Sequence, residues 1–288
     1  MDTSSSFYNL DPQRVLAAVE LAGLKPTGEF TQLNSYENRV FDIRLEENFP
    51  GSPYKNVIAK FYRPQRWSKE ALQEEHDFLF ELKKEGIPVI APFEYSSGKS
   101  LITLEDMHVA FFQKGLGRLP QEFLTGDLKQ VGRMMAQLHN VGSRKPAQHR
   151  PTLGPDHPGA WDALDLLETW VTPELRDRYV QAAEDILFSL QETLRPQSFI
   201  RIHGDCHKGN LLHNGDSFLL VDFDDFINGP EVQDFWMLLS GDQDSLSQEQ
   251  DEILSGYEEL RDFPHEQWAW IPILRGFRII SYAAWIAR

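Results

Sequence analysis

The sequence predicts an α+β protein of two lobes, with a boundary between residues 112 and 113. Strand-like segments and one prominent helix follow the opening helix in residues 1–112, whereas residues 113–288 are mainly helical. One strand-rich island at residues 199–226 interrupts the helical part. The 288 residues, 41% of them hydrophobic, are enough to build two lobes of this kind.

In the first lobe, capping residues and turns define the elements. A helix is expected over residues 11–22, because Asp11 is a good N-cap and Pro12 suits the first helical position. Ser68 is expected to begin a second helix that runs to Lys84. From residue 30 onward, strands are predicted chiefly at 40–45 and 57–62, and then at 93–95, 100–104 and from 109.

In the second lobe, long amphipathic segments surround a short hairpin. The hairpin joins strands at 211–212 and 218–221 through Asn214-Gly215, a strong turn signal. The helices are predicted at residues 128–139, 161–169, 173–192, 247–260 and 266–286.

The charge balance excludes several classes of partner. The chain has 28 basic and 44 acidic residues, a formal net charge of −16, which disfavours nucleic acid and anionic membrane surfaces. Its single cysteine, Cys206, cannot form a disulfide within the chain. The sequence also shows no signal-peptide pattern and no long apolar run. These features favour a cytoplasmic protein, and we expect it to be a monomer.

The segment from His203 to Asp222 carries the strongest chemical signal. Asp205 and Asn210 stand five positions apart on one loop, and the hairpin returns the chain to Asp222. Phosphoryl transfer needs a carboxylate to orient a hydroxyl, and magnesium prefers oxygen ligands such as Asn and Asp. The spacing matches the protein-kinase pattern H-x-D-x-x-x-x-N, although Gly204 replaces its arginine. The pattern therefore predicts ATP- and magnesium-dependent phosphotransfer.

A second group of residues lies upstream. Lys60 ends a strand, as does the kinase lysine that contacts the α- and β-phosphates. Its expected partner on the following helix is Glu75, with Glu74 as the adjacent alternative. The loop before this strand has no glycine-rich motif, so the Ser35 hydroxyl and nearby backbone N–H groups are the candidates for contacting phosphate.

Together these segments resemble the aminoglycoside phosphotransferase and choline kinase superfamily, which has a protein-kinase-like fold. Within it they look closely like a group of bacterial serine/threonine protein kinases that act in stress responses. The segments that carry the resemblance are LNSYENRV at 33–40, KFYRPQRW at 60–67, IHGDCH at 202–207 and NGPEVQDFW at 228–236.

The resemblance implies an autophosphorylating kinase whose partners are protein substrates. Asp205 would be the proton acceptor, and Asn210 and Asp222 would hold magnesium. Ser35 would touch ATP, and Lys60 and Glu75 would form the ion pair that fixes the phosphates. The resemblance also implies that Asp234 braces the catalytic loop. Members of the group extend beyond the position that Arg288 occupies here.

Several alternatives remain open from the sequence. The acceptor could be a small cationic alcohol of the aminoglycoside, choline or homoserine type, which suits an acidic protein. A pseudokinase is disfavoured because the residue types that catalysis needs are present. Asp224 could share a second magnesium ion. His203, Cys206 and His207 could bind zinc, although a structural role for His203 is favoured.

Overall fold

A computed structural model describes residue 7 and residues 10–35, 37–96, 98–154, 160–194, 196–239 and 243–287. The chain divides into two compact units. The first comprises Met1–Arg118 with Leu212–Val221, and the second comprises Leu119–Leu211 with Asp222–Arg288. The functional boundary between residues 112 and 113 stays a prediction.

The first unit is built on an antiparallel sheet of five strands in the order β1-β2-β3-β5-β4. Two helices accompany this sheet. The elements are α1 (Pro12–Leu21), β1 (Pro26–Leu33), β2 (Arg39–Leu45), β3 (Asn56–Phe61), α2 (Lys69–Lys84), β4 (Ile102–Leu104) and β5 (Met107–Gln113).

Both helices begin where their capping residues predict. The Asp11 carboxylate accepts a hydrogen bond from Arg14 N–H at 2.9 Å, and Pro12 opens α1. The Ser68 hydroxyl accepts one from Ala71 N–H at 3.1 Å and starts α2. Each bond satisfies a backbone donor that the first turn of a helix leaves without an intrahelical partner.

Strand β3 has one face in the apolar core of this unit and carries Lys60 on the other face. Successive side chains of a strand point to opposite faces of a sheet. Ala59 and Phe61 therefore lie in the apolar core with Val15 and Val19 of α1. Lys60 takes the other face, where Tyr62 packs against Leu72 of α2.

Three expectations about the elements were wrong. Residues 93–95 form no regular strand: the neighbouring Pro92 and Ser96 make only isolated bridges, to Phe112 and Lys99. Strand β1 begins at Pro26, before the apolar pattern starts. The helix expected over 266–286 is a 3-10 segment, His265–Trp270, followed by an α-helix from Ile271.

The second unit is mainly helical. The elements after residue 118 continue the numbering as α3 (Asp127–Gly142), α4 (Ala160–Glu168), α5 (Pro173–Thr193), β6 (Ile200–Ile202), β7 (Leu211–His213), β8 (Phe218–Leu220), β9 (Ile227–Gly229), α6 (Gln233–Trp236), α7 (Gln243–Tyr257) and α8 (Ile271–Ala287). The hairpin β7–β8 belongs largely to the first unit. Its turn forms as predicted, with Asn214 Oδ1 accepting N–H bonds from Asp216 and Ser217.

Helices α3 and α7 pack with their backbones in near contact. A Cβ atom on Gly132 would overlap the Ile253 carbonyl, and one on Gly256 would overlap the Lys129 carbonyl. The glycines therefore permit a closer approach than side chains would allow. This packing brings the C-terminal turn of α3 beside Tyr257 at the end of α7.

A short antiparallel pair, β6–β9, holds the loop that matters for function. Ile202 pairs with Ile227, so the residues that follow β6 run beside those that precede β9. Neither strand was predicted, since each has only three residues. Among the described residues no helix is both long and apolar enough to cross a membrane.

Candidate active site

The loop after β6 is held by a single buried carboxylate. The N–H groups of His203 and Gly204 each donate to a different oxygen of Asp234, both at 2.8 Å. Asp234 lies on α6 and is fully buried. The bracing role expected for Asp234 is therefore present in the structure.

The same carboxylate is supported from behind by two helices. His139 Nε2 of α3 lies 3.2 Å from Asp234 Oδ2, and His139 Nδ1 lies 3.0 Å from the Tyr257 hydroxyl of α7. The Asp234 carboxylate can only accept, so His139 Nε2 donates to it, and the Tyr257 hydroxyl contacts the other ring nitrogen. His139 is thus a buried structural histidine with both ring nitrogens in hydrogen-bonding contact.

A further buried network fixes the segment that leads to Asp234. Glu231 accepts hydrogen bonds from Arg261 at 3.0 Å and from Gln267 at 2.7 Å, and Gln267 accepts one from Val232 N–H. Burial raises the pKa of Glu231, but the His139 charge and the bonds from Gln267 and Arg261 outweigh it. The pKa of Glu231 therefore lies below its ordinary value.

Gly204 replaces the arginine of the kinase pattern for a steric reason. Its φ of 84° lies in the left-handed region, which favours glycine. A Cβ atom there would also overlap the Asp225 carbonyl. The residue is therefore required by the close approach of the two segments rather than by chemistry.

Asp205 and Asn210 are linked within one turn. The Asn210 amide nitrogen donates to the Asp205 carbonyl at 2.9 Å, which leaves the amide oxygen available to a cation. The short 3-10 helix Lys208–Asn210 produces this arrangement. The loop thus presents a carboxylate and an amide oxygen together, as the spacing predicted.

Two basic side chains flank the Asp205 carboxylate. Arg278 Nη1 lies 2.8 Å from Oδ1, and His207 Nε2 lies 3.4 Å from Oδ2. Burial raises the pKa of Asp205, but the hydrogen bond from His207 and the charges of Arg278 and His207 outweigh it. The pKa of Asp205 therefore lies below its ordinary value, and at neutral pH Asp205 is an ionised hydrogen-bond acceptor.

Asp222 begins the segment that packs against this loop. Its φ of 62° is uncommon for a residue other than glycine, although Asp tolerates it better than most. The adjacent Phe223 ring lies 4.6 Å from the His203 ring, between centroids. Arg150 donates to the Asp224 carbonyl at 2.6 Å. These contacts hold the Asp222 segment beside the Asp205 loop.

Lys60 and Glu75 meet in the first unit. Lys60 Nζ lies 3.9 Å from Glu75 Oε1, and both side chains are almost fully buried. Of the two glutamates considered, Glu75 makes this contact. The next residue on α2, His76, is also buried and lies 2.9 Å from the Tyr62 hydroxyl. This bond holds the face of α2 that carries Glu75 against the sheet.

Ser35 is exposed and lies in the loop between β1 and β2. Its hydroxyl accepts a hydrogen bond from Asn38 N–H at 3.3 Å. The Asn38 side chain in turn accepts one from Arg63 N–H at 3.1 Å, beyond the end of β3. The loop is thus tied to the strand that carries Lys60, while a phosphate contact by Ser35 stays a prediction.

The side-chain donors of the Asp205 loop and of Asp222 suit magnesium better than zinc. Among the described residues, no three His, Cys, Asp or Glu side chains are grouped so as to hold a metal ion. Burial, with the charges of Asp234 and Asp205, raises the pKa of Cys206 and disfavours the thiolate that zinc needs. Magnesium uses few protein oxygens, supplemented by water and phosphate, and Asn210 with Asp222 fits that requirement.

Arg278 is the site residue that sequence reasoning missed. It lies on α8, far along the chain from Asp205, and no local spacing links the two. The one available signal is composition. The apolar helix α8 carries two arginines and no acidic residue, which is unusual in a chain with a net charge of −16.

Comparisons with known proteins identify the family to which the chain is similar. The model of the phosphotransferase enzyme family matches residues 29–270. Over 290 aligned positions the chain is 33% identical to stress response kinase A of Salmonella choleraesuis (strain SC-B67), covering 100% of this chain and 86% of that protein. Identity and coverage are the same for the serine/threonine protein kinase RdoA of Salmonella typhimurium (strain LT2).

A solved structure extends the comparison to the fold. Amicoumacin kinase hAmiN, in complex with AMP-PNP, Ca²⁺ and Ami, is similar with a TM-score of 0.79 and 21% sequence identity. The similarity covers 96% of this chain and 86% of that one. The predicted α+β, kinase-like fold is confirmed.

Proposed function

The chain belongs to the phosphotransferase enzyme family, and on this basis we propose that it is an ATP- and magnesium-dependent serine/threonine protein kinase acting in a stress response. The proposal includes transfer to hydroxyls of other proteins and to its own. It also includes a cytoplasmic, monomeric enzyme, in keeping with its single buried cysteine.

Asp205 would act on the acceptor hydroxyl. Its lowered pKa keeps it ionised, so it can accept the hydroxyl hydrogen bond and orient the oxygen towards the γ-phosphorus. As the new P–O bond forms and the bond to the β-phosphate breaks, Asp205 would receive the proton and ADP would leave. Asp234 would keep Asp205 in place by holding the two preceding N–H groups.

Asn210 and Asp222 would hold magnesium through their side-chain oxygens. Magnesium, when bound, would neutralise charge on the β- and γ-phosphates. In the first unit Lys60 would contact the α- and β-phosphates, oriented by its ion pair with Glu75. Ser35 would add a hydrogen bond to a phosphate oxygen. Positioning and charge stabilisation would supply most of the acceleration.

One observation carries the choice of a protein acceptor. The relatives that match this chain over its whole length are named stress response kinase A and serine/threonine protein kinase RdoA. Amicoumacin kinase hAmiN, at 21% identity, supports only the fold. The alternative acceptor is a small cationic alcohol, which the net charge of −16 favours.

Labelled ATP distinguishes the two acceptors. Wild-type protein and the Asp205→Asn variant would each be incubated with magnesium and labelled ATP, first alone, then with a generic protein acceptor, then with amino alcohols. We expect label on the protein itself and on the protein acceptor, with none in Asp205→Asn. An Asp222→Ala variant should lose several orders of magnitude in turnover, because it lacks a magnesium ligand.

Two results would contradict the proposal. Label only on an amino alcohol would assign the enzyme to the small-molecule class and leave the roles of the residues unchanged. Equal transfer by wild type and Asp205→Asn would remove Asp205 from the mechanism. Thermal unfolding of both proteins controls for a folding defect.

A further inference from the structure

Helix α8 brings positive charge to the Asp205 carboxylate, which would accept the hydrogen bond of the acceptor hydroxyl. The guanidinium of Arg278 lies 2.8 Å from Asp205 Oδ1, within ion-pairing distance. The helix also carries Arg275 and contains no aspartate or glutamate. Its charge is therefore opposite in sign to the net charge of −16 of the whole chain.

Arg278 has capacity for a further partner. Its side chain is 39% exposed, and Asp205 is its one carboxylate partner within the part of the chain that the structure describes. The contact recorded with Asp205 is made through Nη1. A guanidinium has several N–H donors in a planar fork that suits bidentate binding of a carboxylate. The remaining donors can therefore bind a second anion.

An acceptor hydroxyl must come close to Arg278 in order to react. It has to reach hydrogen-bonding distance of the Asp205 carboxylate, about 2.6–3.2 Å between heavy atoms. A group a few bonds from that hydroxyl then falls within range of the guanidinium. A carboxylate at this position would be attracted, and an ammonium group would be repelled.

We propose that Arg278 determines acceptor specificity by selecting hydroxyls that have a carboxylate close by, as in a serine or threonine flanked by acidic residues. The inference rests on the proposed function and names its substrate class. It also disfavours cationic alcohols, because Arg278 occupies the place where an amine would need an acidic partner. Arg278 acts here on binding of the acceptor, while Asp205 retains the chemical role.

The test compares peptides that differ only beside one serine. Acidic, neutral and basic versions would be assayed for kcat/KM with wild type, Arg278→Gln, Arg278→Lys and Arg278→Glu. Arg275→Gln is the matched control, because Arg275 lies on the same helix but stacks over Trp236, 5.7 Å from the ring centroid. Thermal unfolding would verify that each variant is folded.

We expect wild type to prefer the acidic over the basic peptide by about tenfold to a hundredfold, the range for a hydrogen bond to a charged group. Arg278→Gln should remove the preference by raising KM for the acidic peptide more than KM for the neutral and basic peptides. Arg278→Lys should retain part of it, and Arg278→Glu should favour the basic peptide. Arg275→Gln should behave as wild type.

Other outcomes would overturn the inference. One is a charge preference that Arg278→Gln leaves intact. Another is an equal fall in kcat on all three peptides, which would assign Arg278 to the transferred phosphate. If no peptide is phosphorylated, the proposed function fails separately. Small alcohols would then be assayed as acceptors with wild type and the Arg278 variants. A preference for hydroxy acids over amino alcohols that depends on Arg278 supports the inference. A preference for amino alcohols refutes it.

Discussion

Replacing Asp234 by asparagine tests how the catalytic loop is held. The two carboxylate oxygens accept the N–H groups of His203 and Gly204, both at 2.8 Å. An asparagine has one oxygen, so its amide N–H must face one of these donors. The change therefore removes a buried hydrogen bond to a charged acceptor and sets two donors against each other, while side-chain volume is preserved.

The magnitude follows from the hydrogen bond that the substitution removes. A hydrogen bond to a charged group contributes about 1.5–3 kcal/mol, and an unsatisfied buried donor adds to the loss. We expect the Asp234→Asn variant to lose about 2–4 kcal/mol in free energy of unfolding. For a chain of this size that lowers the Tm by roughly 4–10 °C. Turnover should fall by about 100-fold, because the loop carrying Asp205 would lose its position.

Calorimetry, turnover and amide hydrogen exchange measure these effects. The N–H groups of His203 and Gly204 should exchange faster in the variant than in wild type. Asp262→Asn is the matched control, since Asp262 is exposed, and its Tm should stay within about 1 °C of wild type. If Asp234→Asn matches wild type in Tm, turnover and exchange, then the carboxylate does not hold the loop and the reasoning is wrong.

Three other predictions concern separate parts of the molecule. Glu75→Gln deprives Lys60 of a charged partner, so turnover with ATP should fall at least about tenfold in steady-state kinetics; unchanged kinetics would refute the role of the pair. The buried thiol of Cys206, with its raised pKa, should react with iodoacetamide at least about 100-fold more slowly in native protein than in denaturant at pH 8; equal rates would contradict its burial. The lowered pKa of Glu231 contributes stability above the unfolded value, about 4.3, which is lost as pH falls through the folded value. Glu231→Gln should therefore lower the Tm at pH 7, and a difference from wild type that did not shrink below about pH 4 would count against this linkage.

Much of the local structure was predictable because its causes are local. Asp11 and Ser68 start their helices through bonds to residues three positions ahead. Asn214 organises its turn in the same way. The errors at residues 93–95 and at the start of β1 arose where strand pairing depends on distant residues. The three-residue strands β6 and β9 have too little pattern of their own to be recognised.

The residues of the candidate site that could be predicted are also those that a local pattern identifies. Asp205, Asn210 and Asp222 were found from their spacing in the sequence, because one loop and the hairpin that follows it carry all three. Lys60 was found from its place at the end of a strand. Their chemical roles remain predictions, as does the phosphate contact of Ser35.

By itself the sequence determined the fold class and the turn that joins Asp205 to Asn210, whereas the bracing role of Asp234 was implied only by the family resemblance. Only the tertiary structure decided which glutamate meets Lys60, why Gly204 must be glycine, and that Arg278 lies against Asp205. The physical reason is that turns and caps depend on backbone geometry within a few residues. Contacts between distant side chains depend on how whole helices and strands pack, which no short segment encodes alone.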